Sequence, residues 1–167
     1  MGIIETHLET FKFPRARTLA LLEAVEKEPQ PLDVLAWRPG PGRAHIGWQL
    51  AHIAVTEEIL ADRLVPDRYR AWEELWPRFR GGSVPDDNVP GPAEIRDMLV
   101  QAREHISSAL LAIGDQNLEQ IPEAFQARGW RIRDVLSLIA YHEAHHHGQA
   151  HLTFNLYKAQ LAPLSRG

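Results

Sequence analysis

The chain has no cysteine among its 167 residues. That single absence excludes disulfides, thiolate metal ligands and a cysteine nucleophile. Long apolar runs are missing too, since none approaches the roughly 18 residues that a membrane-crossing helix needs. The opening segment interrupts its apolar residues with Glu5, His7, Glu9 and Lys12, and so does not read as a signal-peptide core. A cytoplasmic protein is the expectation. Basic residues are outnumbered by acidic ones, 18 against 22, for a formal charge of −4 with histidines neutral. A nucleic-acid partner held on a basic face is therefore disfavoured. No stretch alternates with period two, and neither internal repeats nor low-complexity blocks occur. What remains is ordinary for a globular chain, with 44% apolar and 24% charged residues.

Proline and glycine divide the sequence into four long helical stretches. The first covers Ile3 to Lys27, with Pro14 either kinking it or marking the start of its main segment. A loop from Trp37 to Arg43 leads to the second, Ala44 to Leu64, which Pro66 closes. Residues Asp67 to Pro92 are irregular, with a short helix carrying Trp72 and Trp76. The third begins at Pro92, repeats Ile95, Met98, Leu99, Ala102, Ile106, Leu110 and Ile113 at helical spacing, and stops at Gly114. The fourth runs from Arg131 to Lys158, with Pro163 beyond it. Four such helices predict an all-α fold, an antiparallel up-down four-helix bundle with an irregular insertion between the second and third helices.

Histidine is abundant: there are nine, five of them between His142 and His151. At 100° per residue, Val135, Leu138, Ile139, His142, His146, Gln149, Thr153 and Leu156 share one face of the fourth helix. His142 and His146, spaced i, i+4 and about 6 Å apart along the axis, can bind one metal ion between them. His147 and His151 have the same spacing but fall on the side where solvent is expected, and His145 lies at the edge. On the second helix His45, Gln49, His52 and Thr56 form a polar stripe inside an apolar arc. Buried polar groups need partners, and a metal or polar cavity would supply them. His52 is the central candidate for a third ligand and His45 the fallback. His7 and His105 read as surface or edge residues.

The segments PGPGRAHIGWQLAHIAVTEE and GWRIRDVLSLIAYHEAHHHGQAHL together resemble the DinB-like (YfiT-like) family of helix-bundle metalloproteins. The resemblance extends over essentially the whole chain, residues 1–167, as a single domain. It implies a histidine on the second helix and an H-x3-H pair on the fourth, followed by Gly-Gln. In this chain those positions are His52, His142 and His146, with Gly148 and Gln149 after them. It also implies a homodimer.

Three imidazole ligands leave a coordination position open, the pattern of catalytic rather than structural zinc. Zinc or nickel is expected, with iron, cobalt or manganese as alternatives that ligand type does not exclude. Some members of the family are thiol-dependent enzymes, which implies a small-molecule substrate used with a low-molecular-weight thiol, in transfer or hydrolysis. Here the thiol must come from the cosubstrate, because the protein has none. Gln49, Thr56 and Gln149 are expected to hydrogen-bond ligands or substrate, as the groups around a metal site do. Glu57 and Glu143 are the candidate general bases, although Glu143 reads better as facing a helix neighbour or solvent and Glu57 as a packing-edge or salt-bridge residue. Arg38 and Arg43 are candidates for an anionic substrate, and Trp72 and Trp76 for a lid. The competing reading is a non-catalytic module, dimerising or binding a partner, whose metal only staples the helices.

Overall fold

The start of the first helix depends on a residue far away in the sequence. In the structure, a computed structural model describing residues 1–66 and 69–161, helix α1 spans Ile3–Glu26. The backbone N–H groups of Ile3 and Ile4, orphaned at the helix start, donate to the Asp115 carboxylate at 2.7 and 2.9 Å. A β-carbon on Gly2 would stand 2.4 Å from that carboxylate, so the close approach requires glycine. The helix passes through Pro14 without a break in its assignment. A short helix α2, Pro31–Ala36, follows; the Pro-rich sequence had read only as the end of α1. Pro31 at its first turn needs no N–H partner there.

Helix α3 spans Ile46–Leu64 and is capped by His45, whose Nδ1 accepts from the Trp48 backbone N–H at 2.9 Å. Helix α4, Trp76–Phe79, is a single turn. Helix α5, Pro92–Ile113, has the predicted bounds and stops at Gly114, where φ is +76°. Helix α6, Ile132–Leu161, is the longest. No strand occurs among the described residues, so the expected all-helical class holds. No described helix is long and apolar enough to cross a membrane. Pro163 lies outside the described residues, as does Asp67 at the start of the irregular segment.

The four long helices do not simply alternate in direction. Arg15, midway along α1, reaches Glu143 in α6, while Glu28 just beyond α1 meets Lys158 near the end of α6. These two helices run the same way. Arg103 in α5 donates to Phe11 and Arg96 to Glu26, so α5 runs against α1. Glu57 and Glu58 of α3 meet Arg103 and His105 of α5, whereas Gln49 and His52 meet His146 and His142 of α6. Thus α1 and α6 point one way, α3 and α5 the other. Consecutive helices that run parallel need a connection as long as themselves. The irregular segment, read from sequence as Asp67 to Pro92, lies on that return path, of which residues 69–91 are described.

Two apolar clusters fill the interior. One joins Leu22, Val25, Leu50, Ile53, Met98 and Leu99; the other joins Phe11, Leu60, Ile106, Phe125, Leu136 and Ile139. Between them lies a charged layer with one residue from each long helix: Arg15, Glu57, Arg103 and Glu143. Arg15 contacts Glu57 at 2.9 Å and Glu143 at 2.7 Å, and Arg103 contacts each of them at 2.5 Å. Arg15 also donates to the Leu99 carbonyl and Arg103 to that of Phe11. Two positive and two negative charges close a neutral ring, which is what lets four ionised groups remain in the interior.

The buried stripe of α6 runs Ile132, Leu136, Ile139, Glu143, Ala150, Thr153. It differs from the predicted face. Gln149 and Leu156 are exposed, and Glu143 sits at the centre with His142 and His146 half-buried on its shoulder. The ring explains the rotation, because α6 turns Glu143 inward to meet Arg15 and Arg103.

Candidate metal centre

His52, His142 and His146 come together in the structure. Each offers a ring nitrogen, and the three atoms lie within 4.8 Å of one another. The Nε2 atoms of His52 and His142 are 3.0 Å apart. Ring centroids are separated by 4.4 Å for His52 and His146, and 4.5 Å for His142 and His146. Turn spacing on α6 supplies two of the rings, and the antiparallel passage of α3 supplies the third.

Each flanking contact fixes which nitrogen is free. His52 Nδ1 stands 2.5 Å from the Phe79 carbonyl, an acceptor only, so Nδ1 carries the proton and Nε2 the lone pair. His146 Nδ1 donates to Gln49 Oε1 at 2.5 Å, which leaves its Nε2 free. The Gln49 amide is oriented in turn, donating to Gln149 Oε1 at 2.8 Å, and the Gln149 amide contacts His145 Nε2 at 2.7 Å. Trp48, one turn before His52, stacks on its ring at 4.5 Å with planes 13° apart. The Trp48 indole N–H is anchored on the Arg78 carbonyl at 3.1 Å.

The protonation states suit metal ligation. Burial, with His52 adding to it, pushes His142 down to about 4 and His146 to about 3. His52 is lowered mainly by burial. All three rings are therefore neutral near pH 7 and present lone pairs toward one point, a donor set that fits a divalent cation. The triad opens on a cavity of about 960 Å³ that Thr56, Trp76 and Trp130 also line.

Other candidates fall elsewhere. His45 uses both nitrogens, accepting from Trp48 N–H and facing the Asp86 carbonyl at 2.8 Å, so the fallback ligand is a helix cap. His147 is half-buried against α1 rather than solvent-facing, beside Arg17 and Ala20, and its Nδ1 meets no partner. Its neighbour His151 is exposed. His105 pairs with the buried Glu58. Glu57 and Glu143 do not line the cavity; both carboxylates are engaged in the ring. Burial alone would raise the Glu57 carboxyl, but Arg15 and Arg103 outweigh it and hold it below its ordinary value. Arg38 is spent on the Arg43, Pro85 and Asp86 carbonyls and on Asp87, and so stabilises the crossover. Trp76 lines the cavity, whereas Trp72 packs on the core and takes a left-handed φ of +49°.

The Phe79 carbonyl and the Trp48 stack had no place in the sequence reading. Trp48, one turn from His52, was available as a signal; the carbonyl is not a side chain and left none.

A family model described as the DinB superfamily matches residues 10–150. No curated protein matches the chain, and no solved structure does.

Proposed function

The chain belongs to the DinB superfamily, and on that premise we propose that it is a metal-dependent enzyme whose ion is held by His52, His142 and His146. One observation carries the reading. Three neutral imidazoles from two helices converge at the wall of a cavity large enough for a small-molecule substrate. The four long helices are read as the bundle of that superfamily, with residues 65–91 as the segment joining its second and third members.

A divalent ion there, zinc or nickel in the first instance, supplies Lewis acidity and lowers the pKa of a thiol or water. The protein's own groups hold and aim the triad. Gln49 fixes the His146 tautomer, the Phe79 carbonyl fixes that of His52, and Gln149 and His145 extend the chain outward. Thr56 is a hydroxyl on the cavity wall, one helical turn from His52, placed to hydrogen-bond a substrate. Trp48 and the core around it keep water from the back of the triad. The reaction class proposed is transfer or hydrolysis involving a low-molecular-weight thiol, with the sulfur supplied by the cosubstrate because the protein has no cysteine. A staple-like metal would call for a fourth protein ligand. His45, the candidate for it, has both nitrogens committed.

The test is elemental analysis of protein purified without a nickel column, followed by turnover assays with thiols and electrophiles on the loaded protein. About one metal per chain and thiol-dependent turnover lost with His142→Ala are expected. Absence of metal after soaking in zinc and in nickel would overturn the reading.

A further inference from the structure

The cavity wall beside the triad carries more positive charge than the chain as a whole predicts. Three arginines line it, Arg63, Arg80 and Arg128, in a protein of net charge −4. Their guanidiniums form no ion pair or hydrogen bond among the described residues. The two carboxylates on the same wall, Asp62 and Glu73, are both engaged by Arg70, at 2.7 and 2.9 Å. Most other arginines among the described residues are paired; Arg17 and Arg43 are the exceptions. Arg15 and Arg103 lie in the buried ring, Arg38 and Arg78 hold the crossover, Arg96 pairs with Glu26, and Arg131 and Arg133 pair with Glu119. Of the five guanidiniums without an ion pair or hydrogen bond among the described residues, three thus line the cavity on which the triad opens.

Two of the three stand over aromatic rings. Arg128 lies 5.0 Å from the Trp130 ring centroid and Arg63 6.0 Å from that of Phe125, both rings lining the same cavity. Cation–π attraction to the ring restricts a guanidinium while leaving N–H donors for an anion. We infer that this cavity takes a substrate with a carboxylate or phosphate group on an apolar body. The anion is held by Arg63, Arg80 and Arg128, the body lies against Trp130 and Phe125, and the reacting end faces the triad. The position of the reacting end rests on the proposed metal function; the charge preference rests on the arginines alone.

The probes are benzoate and phenyl phosphate, with benzyl alcohol and benzylamine as neutral and cationic counterparts. Binding is measured by calorimetry on the metal-free and the zinc-loaded chain. The anions are expected to bind at least about tenfold more tightly than the alcohol or amine in both forms, and less tightly as salt is raised. The Arg63→Gln/Arg80→Gln/Arg128→Gln variant should erase that preference while keeping its helical circular dichroism and its metal content. A control with the same charge change outside the cavity, Lys12→Gln/Lys27→Gln/Arg43→Gln, should retain it. Whichever anion binds better identifies the group recognised. Equal binding of benzyl alcohol, an undiminished preference in the arginine variant, or equal loss in the control would overturn the inference. So would an anion preference seen only with zinc bound, which would assign the anion to the ion. A preference in a chain that takes up no metal would uphold the arginine site while sinking the metal reading.

Discussion

Gln49 and His146 are joined across α3 and α6 by a 2.5 Å hydrogen bond from the imidazole Nδ1 to the amide oxygen. The amide cannot reverse without breaking its second bond, to Gln149. A neutral glutamine therefore decides which nitrogen of His146 is available. Gln49→Leu should leave the triad in place but free the ring to change tautomer and rotate. Metal affinity is expected to fall about 10- to 100-fold, the usual loss when the partner of a ligating histidine is removed. Competition against a chelating dye would measure it, and an unchanged affinity would remove Gln49 from the site.

The histidines themselves separate sharply. His142→Ala and His146→Ala should abolish stoichiometric metal, and His52→Ala should weaken it severely. His147→Ala and His151→Ala should leave metal content unchanged. His45→Ala should also retain metal, yet lose about 0.5–2 kcal/mol of stability through the vacated helix cap. Elemental analysis paired with urea unfolding distinguishes these groups. Full metal in the His146→Ala protein would refute the assignment.

The charged ring predicts a different signature. Glu143→Ala leaves Arg15 without one of its two carboxylates, in a layer where both guanidiniums are largely desolvated. Removing one partner of a buried ion pair typically costs about 3–5 kcal/mol. Replacing all four members by apolar residues of similar volume should cost less than that single change, because no charge is then stranded. Urea denaturation of both proteins would decide it. A single-residue loss no larger than that of an exposed pair such as Lys12–Glu9 would mean the ring is open to water.

Acid should act in two stages. His142 and His146 titrate near 4 and 3 in the folded protein and near the ordinary 6.5 when unfolded. Below about 6.5 the unfolded chain takes up protons that the folded chain refuses. The metal-free protein is therefore most stable above that pH and weakens as pH falls toward about 4. The Glu57 carboxyl, held low by Arg15 and Arg103, adds its loss only below the carboxylate range. Unfolding midpoints between pH 7.5 and 4 are expected to decline in wild type and to decline less steeply in His142→Gln/His146→Gln, where burial still makes His45, His52 and His147 resist protonation. A flat wild-type profile over that interval would contradict the burial of the triad.

Much of this was legible in the residues. Pro92 and Gly114 mark both ends of α5, and the i, i+4 pair with the polar stripe of α3 leads to the three histidines. The wheel for α6 failed at Glu143, because a lone glutamate reads as surface until its partners are known. Those partners lie on three other helices. Direction failed for a related reason. Nothing local in α3 or α5 says that they run parallel, and the length of residues 65–91 was the single clue. The Phe79 carbonyl, which sets the His52 tautomer, belongs to the backbone and leaves no trace in side-chain pattern.

The two halves of the triad lie 90 residues apart in the chain. Closing so long a loop is slow and entropically expensive, and it must be complete before three nitrogens can meet. An ion held by all three nitrogens is therefore a late feature of folding, although the α6 pair alone is local. All three ligands can engage only once α6 has docked against α3. Metal should consequently lengthen the lifetime of the native state, slowing unfolding in proportion to its affinity, and leave the refolding rate nearly untouched. A chain ending before α6 would have nothing to hold the ion with.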